Sequence, residues 1–251
     1  MLTERRRTLA LRTCVLAGRL LIENGSNMER VNDTIERMAR AAGLRQSQDF
    51  TTLTGLGLGS DNLPNAQVAN IRSRKNDLSK VAAVNEVSRE FTAGLVQLPE
   101  AYAQLRSIDR QRPGRWQNQL EAFAAAVLSA VLMVVFTGDV VDWWLAFIAG
   151  GLSYAVFSFI IRKFHIQYLG EFCASIVIGL IACEGVKWGI ATNADDIIIG
   201  GVMPLVPGIP LTNAARDLVS GNLISAPTRG IEALLTAAAI GSAIVLVLRF
   251  T

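Results

Sequence analysis

Ionisable and sulfur-bearing side chains are scarce in this sequence. Charged residues make up 18% of the 251 positions, against 51% hydrophobic, whereas a water-soluble chain carries about a quarter charged residues. That shortfall excludes an ordinary soluble domain for part of the chain. The single histidine, His165, sits in a basic loop without carboxylate or cysteine neighbours, which argues against a metal site and leaves no nucleophile–base pair in view. The three cysteines, Cys14, Cys173 and Cys183, show no CxxC spacing. Two lie in apolar runs, so they read as reduced core or lipid-facing residues, not a disulfide framework. No ATP-binding motif is present. Gly55-Leu56-Gly57-Leu58-Gly59 is no phosphate loop, because no helix follows at Rossmann spacing; its alternation suits a closely packed strand. The basic start, Arg5-Arg6-Arg7, lacks an uninterrupted apolar run behind it, since Arg12, Arg19 and Glu23 intervene. A cleaved signal peptide is therefore not expected.

What charge there is falls unevenly. Residues 1–118 hold 18 Lys and Arg against 12 Asp and Glu, a balance of +6. Residues 119–251 hold 6 against 9, a balance of −3. The sequence thus predicts a mainly α membrane protein with two domains: a cytoplasmic α+β domain over 1–114 and a bundle of about five transmembrane helices over 115–251.

In the first domain, helical patterns run over about 5–23 and from Met28 to Ala42, forming a hairpin around Asn24-Gly25. Ser26 and Glu29 fit a capping box. Met28, Val31, Ile35, Met38 and Ala42 then define one apolar stripe, and Gly43 is a natural stop. A β-hairpin follows, from the Phe50–Gly59 and Val68–Ser73 runs about a turn at 60–65. A third helix over about 77–97 uses Leu78, Val81, Val84, Phe91 and Leu95. A fourth opens at Pro99 and runs to about 110 with Tyr102 and Leu105 inward. Pro113-Gly114 breaks the chain, and Arg115-Trp116 suits a membrane interface. The basic surface fits anionic inner-leaflet lipid better than nucleic acid, though solvated helix faces alone would also explain it.

The spans fall at about 119–138, 142–161, 168–190, 196–211 (broken) and 231–249. Arg115, then Arg162-Lys163, then Arg216 and Arg229 mark one side of the membrane. Asp139 and Asp142, then Asp195 and Asp196, mark the other. The positive-inside rule puts the N-terminus in the cytoplasm and the C-terminus outside.

Three of the seven prolines fall at Pro204, Pro207 and Pro210, within one nominal span. Each removes a backbone donor, so no unbroken helix can run through. Such a break belongs in a bundle interior or a cavity. Thr212 or Asn213 can cap a short new helix whose N-terminus would receive a substrate carboxylate; a kink that serves packing alone is the other reading. Intramembrane charges stand at Glu171, Glu184, Lys187 and Glu232. They either face an interior partner or snorkel to the interface. Asp217, beside Arg216, would touch solute or a partner, or form a surface pair.

Pro204-Leu205-Val206-Pro207-Gly208, with Asn213 and Asp217 downstream, resembles the PLxPGxxxxNxxxD signature of the threonine/serine exporter family, and within it the YjjP-type subunit. Ala17 to Ser26 resembles the family's first hairpin, and Arg74-Lys75-Asn76 the segment before its third helix. The resemblance implies an exporter of small carboxylate-bearing metabolites, threonine and serine in one branch and succinate-like dicarboxylates in the other. It also implies a second, small YjjB-like membrane subunit in a homo- or hetero-oligomer, because long family members carry a further membrane domain. Substrate-binding candidates are Pro207, Gly208, Pro210, Thr212, Asn213 and Asp217. No cofactor is expected. A membrane-anchored enzyme, or a regulatory subunit acting through the cytoplasmic domain, are the competing readings; five spans exceed what anchoring needs.

Overall fold

The computed structural model describes residues 4–44, 47–60, 66–111, 114 and 116–251. The turn expected at 61–65, Pro113 and Arg115 lie outside the described residues. By contact the chain divides into two units. One comprises Met1–Arg112 with Ile209–Gly230, the other Pro113–Gly208 with Ile231–Thr251. A cut at 114 thus leaves out one feature: the downstream segment Ile209–Gly230 packs with the N-terminal region.

The first unit is built around α1 (Glu4–Glu23), which packs on α2 (Met28–Ala41), α3 (Leu78–Thr92), α4 (Leu98–Arg110) and the strands β2 (Gly55–Ser60) and β3 (Gln67–Asn70). Its buried face carries Leu11, Cys14, Leu20, Leu21 and Ile22, each aliphatic side chain contributing roughly 1.5–3 kcal/mol. The predicted stripe on α2 is inward at all five positions. Gly18 is where the layers touch: a Cβ there would lie 2.6 Å from both Ile35 and Leu56. Gly25 takes φ +92° in the α1–α2 turn, and a Cβ would meet Asn76 Oδ1 at 2.6 Å. That turn also receives the chain before α3, through Lys75 N–H to the Glu23 carbonyl (2.7 Å) and Asp77 N–H to the Asn24 carbonyl (3.2 Å). Arg19 reaches Asp109 on α4 at 2.6 Å.

Several details depart from expectation. Asn27, not Ser26, caps α2, its side chain accepting from Arg30 N–H at 2.8 Å. The hairpin is a three-stranded antiparallel sheet, because the first run turns at 52–54 into β1 (Ser47–Thr51) and β2 (Gly55–Ser60), with β3 (Gln67–Asn70) beyond. Leu56 and Leu58 point inward, but the alternating glycines of β2 have room for a Cβ, so close packing does not explain them. Helix α3 stops at Thr92, followed by Gly94 at φ +76°. Leu78 and Leu95 consequently fall outside the core, 56% and 78% exposed.

The second unit holds α5 (Gln117–Thr137), α6 (Trp143–Phe164), α7 (Gln167–Lys187), α8 (Ala194–Val202) with a 3₁₀ turn at Met203–Leu205, and most of α10 (Ser225–Phe250). Helices α5, α6, α7 and α10 are long and apolar enough to cross a membrane. A fifth crossing results if α8 and α9 (Gly208–Val219) form one broken span, bent by 60°. Without a hydrophobic drive between helices in lipid, small residues let backbones approach. Gly150 abuts Ser129, and a Cβ on Gly200 would sit 2.7 Å from the Ser129 carbonyl. Gly201 faces Ile178 and Gly179 faces Val247 in the same way. Of the four long spans, α7 is the most enclosed, with half of its apolar window buried against 28–33% for the others.

Candidate functional site

The proline run does break the span. Helix α8 ends in the 3₁₀ turn over Met203-Pro204-Leu205, Val206 is extended, and α9 starts at Gly208. Pro207, Gly208, Pro210 and Thr212 therefore form the opening of α9, and Asn213 and Asp217 follow one turn apart on its buried face.

Each of those two side chains makes a hydrogen bond to the α1–α2 turn. Asn213 Nδ2 donates to the Gly25 carbonyl at 2.9 Å. Asp217 Oδ1 accepts from Met28 N–H at 2.9 Å. Met28 is the first residue of α2, whose N–H has no partner within its own helix, so Asp217 caps a helix 189 positions upstream and complements its positive dipole end. The other oxygen, Oδ2, lies 3.2 Å from Arg229 Nε, and Arg229 Nη2 donates to the Ser26 carbonyl at 2.7 Å. Ser220 adds a bond to Glu29 (2.8 Å) at the exposed margin. Asp217 is wholly buried and Arg229 is 6% exposed.

Asp217 thus pairs with Arg229 and not with its neighbour Arg216, whose side chain is exposed. Arg229 was legible only as one more basic loop residue. No local pattern links it to a carboxylate twelve positions away, and only the fold does so.

The second unit shows another residue, one that sequence reasoning read only as a marker of membrane side. Asp142 stands at the N-cap of α6 but serves a different segment. It is 1% exposed and accepts from Thr192 N–H (2.9 and 3.1 Å to its two oxygens) and Asn193 N–H (2.9 Å). It fastens the loop between α7 and α8 to the start of α6. Of the intramembrane charges, Glu184 and Lys187 pair at 3.3 Å and are roughly half exposed, as charges near a helix end do. Glu232 is half-buried. Glu171 is buried, and Gln167 donates to its Oε1 at 2.9 Å. Among the described residues no cluster of His, Cys, Asp or Glu could hold a metal ion.

Four apolar helices of spanning length and a further helix pair broken at prolines define a multi-pass membrane protein. The chain belongs to the threonine/serine exporter family, whose sequence profile matches residues 12–251. A threonine/serine exporter of Corynebacterium glutamicum is 21% identical over 227 residues, covering 87% of this chain and 46% of that protein. The chain spans about half the length of the curated relative it matches. No solved structure matches it.

Proposed function

We propose that this chain is the motif-bearing part of an exporter for small carboxylate-bearing metabolites, threonine and serine or succinate-like dicarboxylates. In this reading it works with a separate small YjjB-like membrane subunit, with its N-terminus cytoplasmic and its C-terminus outside. The observation that carries the reading is the broken span, whose motif residues Asn213 and Asp217 are tied to the α1–α2 turn. The opening of α9, from Pro207 through Thr212, is the solute-facing end, where a helix N-terminus can receive a carboxylate. Asn213 and Asp217 hold that end in place. Membership of a transporter family leaves the anchored-enzyme reading without support.

The test is efflux of labelled threonine and succinate from proteoliposomes, with the chain alone and with the small subunit added. Gly208→Leu and Asn213→Ala should each impair export while membrane insertion stays normal. Unaltered export by both variants would remove the broken span from the pathway.

A further inference from the structure

Glu171 is the one intramembrane charge for which snorkelling fails as an explanation. A snorkelling side chain keeps its charged end in water, yet Glu171 is only 2% exposed. It lies on the second turn of α7, the most enclosed of the four long spans. Its Oε1 accepts from Gln167 Nε2, and its Oε2 is sealed from solvent without a well-formed hydrogen bond. The Thr236 hydroxyl on α10, itself buried, stands within reach of the carboxylate. Ser175, one turn further along α7, uses its hydroxyl on the Glu171 carbonyl at 2.8 Å and is not available to the side chain.

Among the described residues no cation forms an ion pair with this group or acts on it. On α7 the titratable side chains next in sequence are Tyr168 and Cys173; α6 carries Tyr154, Arg162 and Lys163, and α10 carries Glu232. Helix α8 offers Asp195 and Asp196 in its first turn. None of these acts on the Glu171 carboxylate; the two groups that do, Gln167 and Thr236, are uncharged. A buried ionised carboxylate needs a partner charge or several donors. Glu171 has one amide donor and one hydroxyl nearby, a set that suits a carboxylic acid: Oε1 accepts from Gln167, and Oε2, sealed and without a hydrogen bond, is the oxygen left to carry the proton.

We infer that Glu171 is a proton-binding site within the spans, and that gain and loss of this proton couple solute movement to a pH gradient. The step forms and breaks one O–H bond at Oε2, the proton passing to or from water when the site opens. This rests on the exporter reading for its role in transport, but not for the presence of the proton.

Two measurements separate those layers. Difference infrared spectroscopy of the whole protein in lipid, without solute, should show a carboxylic acid C=O band that titrates with pH, shifts in D₂O and vanishes in Glu171→Gln. If no such band depends on Glu171, the inference is overturned whatever the protein transports. In proteoliposomes, Glu171→Gln should lose export driven by a pH gradient yet retain solute–solute exchange at equal pH, while Glu171→Asp keeps both. Gradient-driven export that survives in Glu171→Gln would equally sink the coupling role. A wild type that moves no solute would count against the exporter reading, and the infrared result would still decide the proton site.

Discussion

Two of the three carboxylates buried among the described residues, Asp217 and Glu171, have unlike surroundings. Asp217 receives a backbone N–H, the positive end of a helix and a guanidinium. Glu171 receives a side-chain amide and stands near a hydroxyl. The first set supplies an opposing charge and a backbone donor, although Oδ2 itself makes no well-formed hydrogen bond, and a carboxylate so paired serves as a strut. The second leaves charge uncompensated, and a group so placed responds to proton supply. Burial alone therefore says little about what a carboxylate does; the count of donors and the presence of a cation decide it.

The largest effect should come from breaking the strut. Removing one partner of a buried ion pair leaves the other charge stranded and costs about 3–5 kcal/mol. Asp217→Ala should cost that much, and it also strips Met28 N–H of its acceptor. The double variant Asp217→Leu with Arg229→Met should be markedly less damaging than either single change, because no charge is left stranded. Thermal unfolding in detergent across that cycle measures the difference. If Asp217→Ala melts like wild type, the pair is not the strut described.

A smaller effect tests whether backbone donors alone can hold a buried anion. Asp142 has no basic partner among the described contacts and relies on two N–H groups, from Thr192 and Asn193. Hydrogen bonds to charged groups contribute about 1.5–3 kcal/mol. Asp142→Asn keeps one acceptor oxygen and should lose part of this, loosening the loop between α7 and α8. Faster amide hydrogen exchange at Thr192 and Asn193, with little change in the first unit, is the expected reading. Unchanged exchange would mean that the loop is held by other contacts.

Local rules made the helices legible because each is written in adjacent residues. The α2 stripe, the stop at Gly43, the four long spans and the proline break all follow from spacing or backbone chemistry. What stayed hidden needed distance. Asp217 caps Met28 across 189 positions, and Asp142 grips a loop 50 positions on. Ser26 looked like the cap of α2 because its capping box was complete, yet the neighbouring Asn27 took the role while Ser26 gave its carbonyl to Arg229. A cap preference ranks Asn and Ser nearly equal, so tertiary partners settle the choice. Of the candidate site, sequence supplied Asn213 and Asp217 as a motif but not what they bind. It supplied Glu171 as a charge, but not the enclosure that sets it apart from Glu184.

The smallest effect concerns an ionisable group with no partner charge at all. Cys14 lies wholly inside the first unit, and burial pushes its thiol up from 9.0 to about 12. A thiolate is the reactive form, so native protein at neutral pH should leave Cys14 unlabelled by a maleimide, while half-buried Cys173 and Cys183 differ from it in access. The linkage sign follows from the raised value. Below pH 9 the thiol is protonated in both folded and unfolded chains and contributes nothing to pH dependence. Between about 9 and 12 only the unfolded chain ionises, so stability should fall as pH rises through that window. Cys14→Ala should flatten this alkaline decline at the cost of a small cavity. Labelling of Cys14 at the rate of an exposed thiol would show that the α1 core opens under native conditions.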